Sequence, residues 1–184
     1  MTQVSVAEHK GQATAKDVRV AGLTVSDTRT EETDNGGRLV RALCQEAGFS
    51  LIAHTIVRDE PAEVAAFVRK VVGDGDVNVV LLTGGTGIAG RDTTVEALAA
   101  LFDKTLDGFG ELFRMLSYQD IGPAAMLSRA TAGTIGQVAV FVMPGSTKAV
   151  RLAMEKLIVP ELPHVVAQLA KTPRPPRPGP PTAP

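Results

Sequence analysis

The feature that most restricts the fold is a short apolar segment that runs directly into a glycine-rich loop. Residues 77–82 are nearly all apolar and β-branched, as expected for a strand buried on both faces of a parallel sheet. The loop that follows is Thr83, Gly84, Gly85, Thr86 and Gly87. Thr93 and Glu96 then have the spacing of a capping box, which predicts the start of a helix. A strand, a glycine loop and a helix in this order present backbone amides to an anion, so the sequence predicts a phosphorylated ligand.

Strand and helix patterns alternate along most of the chain. Strands are predicted at 18–25, 51–57, 77–82 and 138–143, and helices at 37–47, after residue 60, after residue 93, around 109–116, after residue 146 and after Pro160. This alternation predicts a single α/β domain of three layers (αβα), built on a doubly wound, mostly parallel sheet. We expect the domain to span residues 17–170, between a disordered polar tail at 1–16 and a disordered proline-rich tail at 171–184.

Composition limits the classes of function. A chain of 184 residues that is 44% hydrophobic is large enough for one sizeable core. The formal net charge of −1, without a basic stripe, argues against nucleic acid as a partner. No apolar run approaches the roughly 20 residues that span a membrane, so no membrane association is expected. The single cysteine, Cys44, excludes an internal disulfide and fits the reducing cytoplasm, and its apolar neighbours predict a packed helix face.

Three aspartates follow the predicted strands. Asp27 comes after the first strand, Asp59 after the second, and Asp92 after the glycine loop. Because the carboxyl ends of parallel strands meet at one edge of a sheet, we expect these side chains to lie near the phosphate loop. Asp59 or Asp92 alone would fit a helix cap, but two carboxylates beside a phosphate loop favour metal binding or substrate positioning. Mg²⁺ is commonly held by one or two carboxylates plus phosphate oxygens.

Two familiar nucleotide motifs do not fit the glycine loop. Gly85, Gly87 and Gly90 satisfy the pattern G-x-G-x-x-G, but they follow the third predicted strand, whereas the dinucleotide motif follows the first. No Lys-Ser or Lys-Thr pair follows the glycines, so a Walker loop is excluded as well. Three glycines flanked by threonines exceed what a tight turn needs, which favours anion binding over a purely structural turn.

Other polar segments leave alternatives open. The loop around Asp34 is interpreted as facing a ligand, with a plain turn or helix cap as the alternative. Ser146 is suited to an N-cap position, and Lys148 in the following turn either meets an anion or is solvated. Glu111 and Arg114 have the spacing of a surface ion pair on a helix.

Four motifs in a fixed order make the chain recognisable. The first is the loop 83–87 with Arg91 and Asp92. The others are Gly108, Phe109, Gly110 and Glu111 with Arg114; Ser128 with Arg129; and Pro144, Gly145 and Ser146. Together they resemble the molybdenum cofactor biosynthesis family of MoaB and Mog proteins, which includes the G domain of gephyrin. The resemblance covers residues 19–169 and looks closest to the MoaB branch.

The resemblance implies a three-layer domain that binds molybdopterin. Active members adenylylate molybdopterin with ATP and Mg²⁺, which gives adenylyl-molybdopterin and pyrophosphate. The family's essential aspartate pair falls on Asp59 and Asp92, which would act as catalytic residues and Mg²⁺ ligands. Ligand-binding positions would be the loop 83–87 together with Asp27, Gly110, Glu111, Ser128, Arg129, Pro144, Gly145, Ser146 and Lys148. The resemblance also implies a trimer or hexamer, and a molybdenum-insertion protein as a further partner.

Two functions fit this resemblance, an adenylyltransferase and a non-catalytic molybdopterin-binding or scaffold protein. The MoaB branch includes members that lack the first aspartate of the pair and are inactive. Both aspartates are present here, which favours the enzyme. Against it, Val95 and Thr147 stand where adenylyltransferases often carry proline. A weaker third reading is an unrelated nucleotide-dependent enzyme on the same fold, as in CinA-like domains.

Overall fold

The computed structural model describes residues 13–171, in which six strands form one mixed sheet. The strands are β1 (Arg19–Val25), β2 (Ser50–Val57), β3 (Val79–Thr83), β4 (Lys104–Thr105), β5 (Thr131–Ile135) and β6 (Val138–Met143). Their order in the sheet is β2–β1–β3–β6–β5–β4. The first four of this order are parallel, whereas β5 runs antiparallel to β6 and β4 antiparallel to β5. The predicted doubly wound, mostly parallel sheet is confirmed.

Helices cover both faces of the sheet. They are α1 (Asn35–Glu46), α2 (Pro61–Asp74), α3 (Thr94–Ala99), α4 (Asp107–Ile121), α5 (Thr147–Ala153) and α6 (Val159–Ala170). Short 3₁₀ turns lie at Ala15–Asp17 and Gly122–Leu127, and a π-helical segment, Met154–Ile158, joins α5 to α6. Helices α1, α4, α5 and α6 pack on one face, and α2 and α3 on the other. This is the predicted three-layer arrangement.

The core follows from alternation along the central strands. In β1 and β3, Val20 and Leu81 face one helical layer, while Leu23 and Leu82 face the other. Both sets are buried, as the nearly continuous apolar pattern of a parallel strand requires. Cys44 packs in the core as predicted, and burial raises the pKa of its thiol to about 12. The thiol is therefore protonated and unreactive at neutral pH.

Several elements differ from the prediction. Strands β4 and β5 were not predicted, because β4 has two residues and β5 reads Thr-Ala-Gly-Thr-Ile, without the apolar pattern of a buried strand. The helix at 109–116 is longer than predicted and extends over 15 residues as α4. No loop separates the last two helices, since the π-helical segment accommodates Pro160 in a continuous helical run.

Both predicted tails extend beyond the described residues, which leave out 1–12 and 172–184. Residues 13–16 belong to the folded part, although they were assigned to the tail. The Thr14 amide and hydroxyl both donate to Asp17 Oδ2, each at 2.8 Å, and Ala15 packs against the core. Within residues 13–171, no helix is both long and apolar enough to cross a membrane.

Candidate functional site

The glycine loop leaves β3 at the carboxyl edge of the sheet and contains backbone amides without a hydrogen-bond partner among the described residues. Gly84 has φ of 101° and donates its amide to the Met143 carbonyl at 3.0 Å, and a Cβ at Gly84 would collide with the Val25 carbonyl. Only glycine suits this position. The next amides, of Gly85, Thr86 and Gly87, donate to no acceptor within the described chain. Three adjacent amides without an acceptor are the arrangement from which the sequence predicts anion binding.

The two predicted catalytic carboxylates lie against this loop. A Cβ at Gly85 would be 3.0 Å from Asp59 Oδ1, and a Cβ at Gly87 would be 2.5 Å from Asp92 Oδ2. These glycines are therefore needed for packing against the acids as well as for amide exposure. Asp92 Oδ2 accepts from the Ala89 amide at 2.9 Å. Asp59 and Asp92 do not occupy the N-cap positions of α2 and α3, which are taken by the residues that follow them.

The electrostatics of Asp59 reflect its neighbours. Burial raises the pKa of Asp59, and the negative charge of Asp92 raises it further, while Arg91 acts in the opposite direction. Two carboxylates that repel each other at the mouth of an anion site suit a divalent cation between them. No group of three or more His, Cys, Asp or Glu side chains in the described residues is arranged to hold a metal. A bound cation would therefore take its remaining ligands from phosphate oxygens and water.

Asp27 lies at the same edge of the sheet as Asp59 and Arg91. Its Oδ1 accepts from the Asp59 amide at 3.3 Å, and its Oδ2 forms an ion pair with Arg91. The expected convergence of Asp27, Asp59 and Asp92 is therefore present in the structure. Arg91 was not predicted as a site residue. Its position beside Asp92 in the first family motif was the signal for it.

Arg129 contacts the glycine loop from the other side. Its guanidinium donates to the Asp92 carbonyl at 2.6 Å and to the Thr86 carbonyl at 3.3 Å, and it pairs with the Glu96 carboxylate. The hydrogen bond and charge of Arg129 hold the pKa of Glu96 below its usual range. The predicted capping box is therefore wrong. The Glu96 carboxylate pairs with the Arg129 guanidinium, and the Thr93 hydroxyl is buried without a hydrogen-bond partner among the described residues.

A cleft of about 470 Å³ lies between α4 and the segment before β5. It is lined by Gly110, Glu111, Arg114, Ser128 and Arg129 among others, so two of the four motifs meet in it. A Cβ at Gly110 would be 2.6 Å from the Ala130 carbonyl oxygen, which explains the glycine. The Ser128 hydroxyl is buried with no hydrogen-bond partner among the described residues, and therefore lacks a polar contact that a ligand can supply.

The expected ion pair of Glu111 with Arg114 is not present among the described residues. Arg114 Nη1 donates instead to the Ala130 carbonyl, 3.4 Å away. This contact directs the guanidinium across the floor of the cleft, toward the chain that enters β5. Glu111 is left exposed at the cleft wall.

The residues that follow β6 contact two different parts of the molecule. Gly145 adjoins the glycine loop, because a Cβ at Gly145 would be 3.3 Å from Gly84 Cα. Ser146 caps α5 as predicted, because its Oγ accepts from the Ala149 amide at 3.2 Å. Ser146 and Lys148 line a separate cleft of about 580 Å³ between α4 and α5, away from the cleft of Glu111.

The loop after β1 is partly structural. Asp34 is 2% exposed and caps α1, because its Oδ1 accepts from the Gly37 amide at 2.8 Å. Its Oδ2 accepts from the Thr24 hydroxyl at 2.7 Å, and the Thr83 hydroxyl donates to Thr24 Oγ1 at 3.3 Å. The ligand-facing interpretation is therefore wrong for Asp34, for which the alternative of a helix cap holds. This buried chain of polar contacts connects α1 to the start of the glycine loop.

Known proteins share this sequence and architecture. Residues 21–164 match the family described as a probable molybdopterin binding domain. A molybdenum cofactor biosynthesis protein B from Bacillus cereus is 55% identical over 167 residues, which cover 90% of this chain and 98% of that protein. A crystal structure of a molybdenum cofactor biosynthesis protein B has a TM-score of 0.84 at 53% identity, covering 86% of this chain and 99% of that one. The tungsten cofactor synthesizing protein MoaB from Pyrococcus furiosus has a TM-score of 0.75 at 36% identity, covering 83% and 96%.

Proposed function

The chain belongs to the molybdopterin-binding family of molybdenum cofactor biosynthesis proteins, and from this we propose that it is a molybdopterin adenylyltransferase. In this reaction an oxygen of the terminal phosphate of molybdopterin attacks the α-phosphorus of ATP. A new P–O bond forms, the bond to the β-phosphate oxygen breaks, and pyrophosphate leaves. The adenylyl-molybdopterin is then passed to a partner that inserts the metal.

The observation that carries the proposal is the meeting of three free amides with two carboxylates. The amides of Gly85, Thr86 and Gly87 suit the phosphates of a nucleotide, and Asp59 and Asp92 stand directly beside them. A helix end alone stabilises an anion by at most about 2 kcal/mol. Enzymatic accelerations need about 8 kcal/mol or more, so alignment of the two phosphates and charge neutralisation must supply the rest.

The carboxylate pair fits Mg²⁺, which prefers oxygen ligands and takes one or two carboxylates alongside phosphate oxygens. Asp92 would be the main ligand and Asp59 the second. Bound there, Mg²⁺ would supply positive charge to the phosphates and remove the repulsion between the two acids. The role of Asp27 is to hold the Asp59 backbone and the Arg91 side chain in place.

The cleft between α4 and β5 suits the pterin. The unpartnered Ser128 hydroxyl can donate to a ring acceptor, and the Glu111 carboxylate can accept from ring N–H groups. Arg129 lines the cleft and touches the glycine loop, so the two subsites share a wall. A pterin bound in this cleft would have its substituent within reach of a nucleotide phosphate.

Pyrophosphate release tests the proposal. Purified protein with molybdopterin, ATP and Mg²⁺ should release pyrophosphate, and removal of Mg²⁺ with a chelator should abolish the release. Asp92→Asn should lower kcat by about 100-fold or more, the scale of a catalytic group. Asp74→Asn, which alters an exposed ion pair on α2, should leave kcat unchanged. A protein that binds molybdopterin but releases no pyrophosphate is a carrier or scaffold, and the enzyme proposal would then fail.

A further inference from the structure

Arg129 lies between the two subsites of the proposed enzyme, and its guanidinium is bound to protein atoms. One nitrogen donates to the Asp92 carbonyl at 2.6 Å and another to the Thr86 carbonyl at 3.3 Å. A third forms the ion pair with Glu96 at the start of α3. The side chain is 27% exposed and borders the cleft, while each of its three guanidinium nitrogens binds a protein acceptor.

We propose that Arg129 is a positioning residue that fixes the loop 86–92, and through it Asp92, and that it does not bind a substrate. The two carbonyls that it holds are at the two ends of this loop. A planar guanidinium can bind several acceptors at fixed angles, which a lysine ammonium cannot reproduce. The consequence for catalysis rests on the proposed function, whereas the effect on the loop does not.

The contacts inside the loop explain why an outside partner is needed. The Asp92 amide donates to the Ala89 carbonyl at 2.9 Å, and the Ala89 amide donates to Asp92 Oδ2 at the same distance. These bonds set the shape of the turn but not its position on the domain. Two partners outside the loop supply that position: Asp27, through its ion pair with the largely exposed Arg91, and Arg129, which lies just before β5 in the sheet and binds the backbone at both ends of the loop.

The three contacts of Arg129 are unequal. Glu96 is 59% exposed, so its ion pair is screened by solvent and contributes little to the position of the loop. The carbonyls of Thr86 and Asp92 accept charge-assisted hydrogen bonds in a partly buried setting, where such bonds are stronger. We therefore expect loss of Arg129 to affect the loop much more than loss of Glu96.

Hydrogen–deuterium exchange of the full-length protein tests the proposal without any need for activity. In both Arg129→Lys and Arg129→Gln, exchange at the Ala89 and Asp92 amides should be at least tenfold faster. Glu96→Gln should give a rise of two- to threefold. Lys70→Gln, which removes an exposed ion pair on α2, should leave exchange in the loop unchanged.

Ligand measurements separate positioning from binding. In both Arg129 variants, kcat for pyrophosphate release should fall at least 30-fold, while the Kd for molybdopterin changes less than threefold. The opposite result would be exchange at wild-type rates in Arg129→Lys together with a Kd for molybdopterin that rises more than tenfold only in Arg129→Gln. That result would identify Arg129 as a ligand contact and overturn the proposal. If the Arg129 variants do not fold, Glu96→Lys places a like charge beside the guanidinium and repels it from the loop, and unchanged exchange at Ala89 and Asp92 in that folded variant overturns the proposal. A wild-type protein without pyrophosphate release refutes the proposed function, and the exchange results still decide the role of Arg129.

Discussion

At the scale of single residues, the carboxylates of this chain have opposite environments that sequence position alone does not separate. Asp92 lies in an exposed loop beside free amides, whereas Asp34 is buried and accepts hydrogen bonds from Gly37 and Thr24. Both aspartates follow a strand and precede a helix. Asp92 is available to a cation, whereas Asp34 already has its partners within the protein.

Asp34→Ala should reduce the free energy of unfolding by about 2–4 kcal/mol, because it removes an N-cap and leaves a buried hydroxyl and amide unpaired. Urea denaturation monitored by circular dichroism measures the change. Asp74→Ala is the matched control, since it removes an exposed ion pair that contributes roughly 0.2–1 kcal/mol. Equal effects of the two substitutions would contradict a structural role for Asp34.

His54 makes stability depend on pH. Burial lowers the pKa of His54 below its ordinary value of 6.5, and Arg41 lowers it further, although Asp34 and Glu31 oppose this. As pH falls below 6.5, the unfolded chain gains a proton at His54 that the folded chain does not, so the free energy of unfolding decreases. Above that pH the stability from the neutral ring is fully present.

Urea denaturation between about pH 7.5 and 5.5 isolates this effect, because the ordinary carboxyl pKa values lie lower. The wild-type free energy of unfolding should decline toward the acid end, and His54→Gln should flatten the decline. His164→Gln is the control, because the His164 ring on α6 is more exposed than that of His54, and this variant should retain the decline. A decline of unchanged slope in His54→Gln would refute this assignment.

At the scale of elements, two kinds of segment determined what could be predicted. The apolar runs of β1, β3 and β6 are buried on both faces, so their composition alone identifies them. Strand β5 is stabilised by pairing with β6. It contains Gly133, and the Phe102 ring occupies the space that a side chain at this position would need. That requirement arises from the tertiary structure and is not visible in a local pattern.

The candidate site likewise combines features that are predictable from the sequence with features that depend on the tertiary structure. The glycine loop and the aspartates were predictable, because topology alone places the carboxyl ends of parallel strands together. The contacts of Arg129 and the burial of Asp34 were not predictable, because each depends on where a side chain points after folding. The different clefts of Glu111 and Lys148 also depend on tertiary packing, since the first half of α4 lines one cleft and its second half lines the other.

The contact of α4 with the chain before β5 predicts opposite effects at two glycines. Gly→Ala in a helix gains up to about 1 kcal/mol of stability. At Gly108 nothing lies within 4 Å of the added carbon, so Gly108→Ala should be neutral or stabilising. At Gly110 the carbon would be 2.6 Å from the Ala130 carbonyl, and displacing α4 costs about 1–3 kcal/mol. Gly110→Ala should therefore lower the thermal midpoint while Gly108→Ala does not, and the reverse order would contradict the close approach of α4.

At the scale of the whole molecule, the exposed apolar side chains are concentrated on one region. Of the eight large apolar side chains that are exposed in the described residues, Ile52 and Ile88 lie elsewhere. The other six, each 47–79% exposed, are Leu112, Met115, Tyr118 and Ile121 on α4, with Met126 and Leu127 in the 3₁₀ turn that follows. Exposed apolar surface of this kind marks an interaction site. The resemblance implies a trimer or hexamer, and if the chain associates in this way we expect α4 to lie in the interface, because a second copy would cover this apolar surface.

Sedimentation of the purified protein should give a trimer or hexamer, and Met115→Glu should shift it toward the monomer, because a carboxylate buried in an apolar interface is strongly unfavourable. Ile52→Glu is the matched control, since Ile52 is exposed to a similar degree, 51% against 55%, but lies on the edge strand β2. Dissociation by Ile52→Glu alone would place the interface on the sheet edge instead. Because α4 also lines the cleft proposed for the pterin, Met115→Glu should raise the Kd for molybdopterin if the interface orders this helix. An unchanged Kd in the monomer would show that each subunit forms its cleft alone.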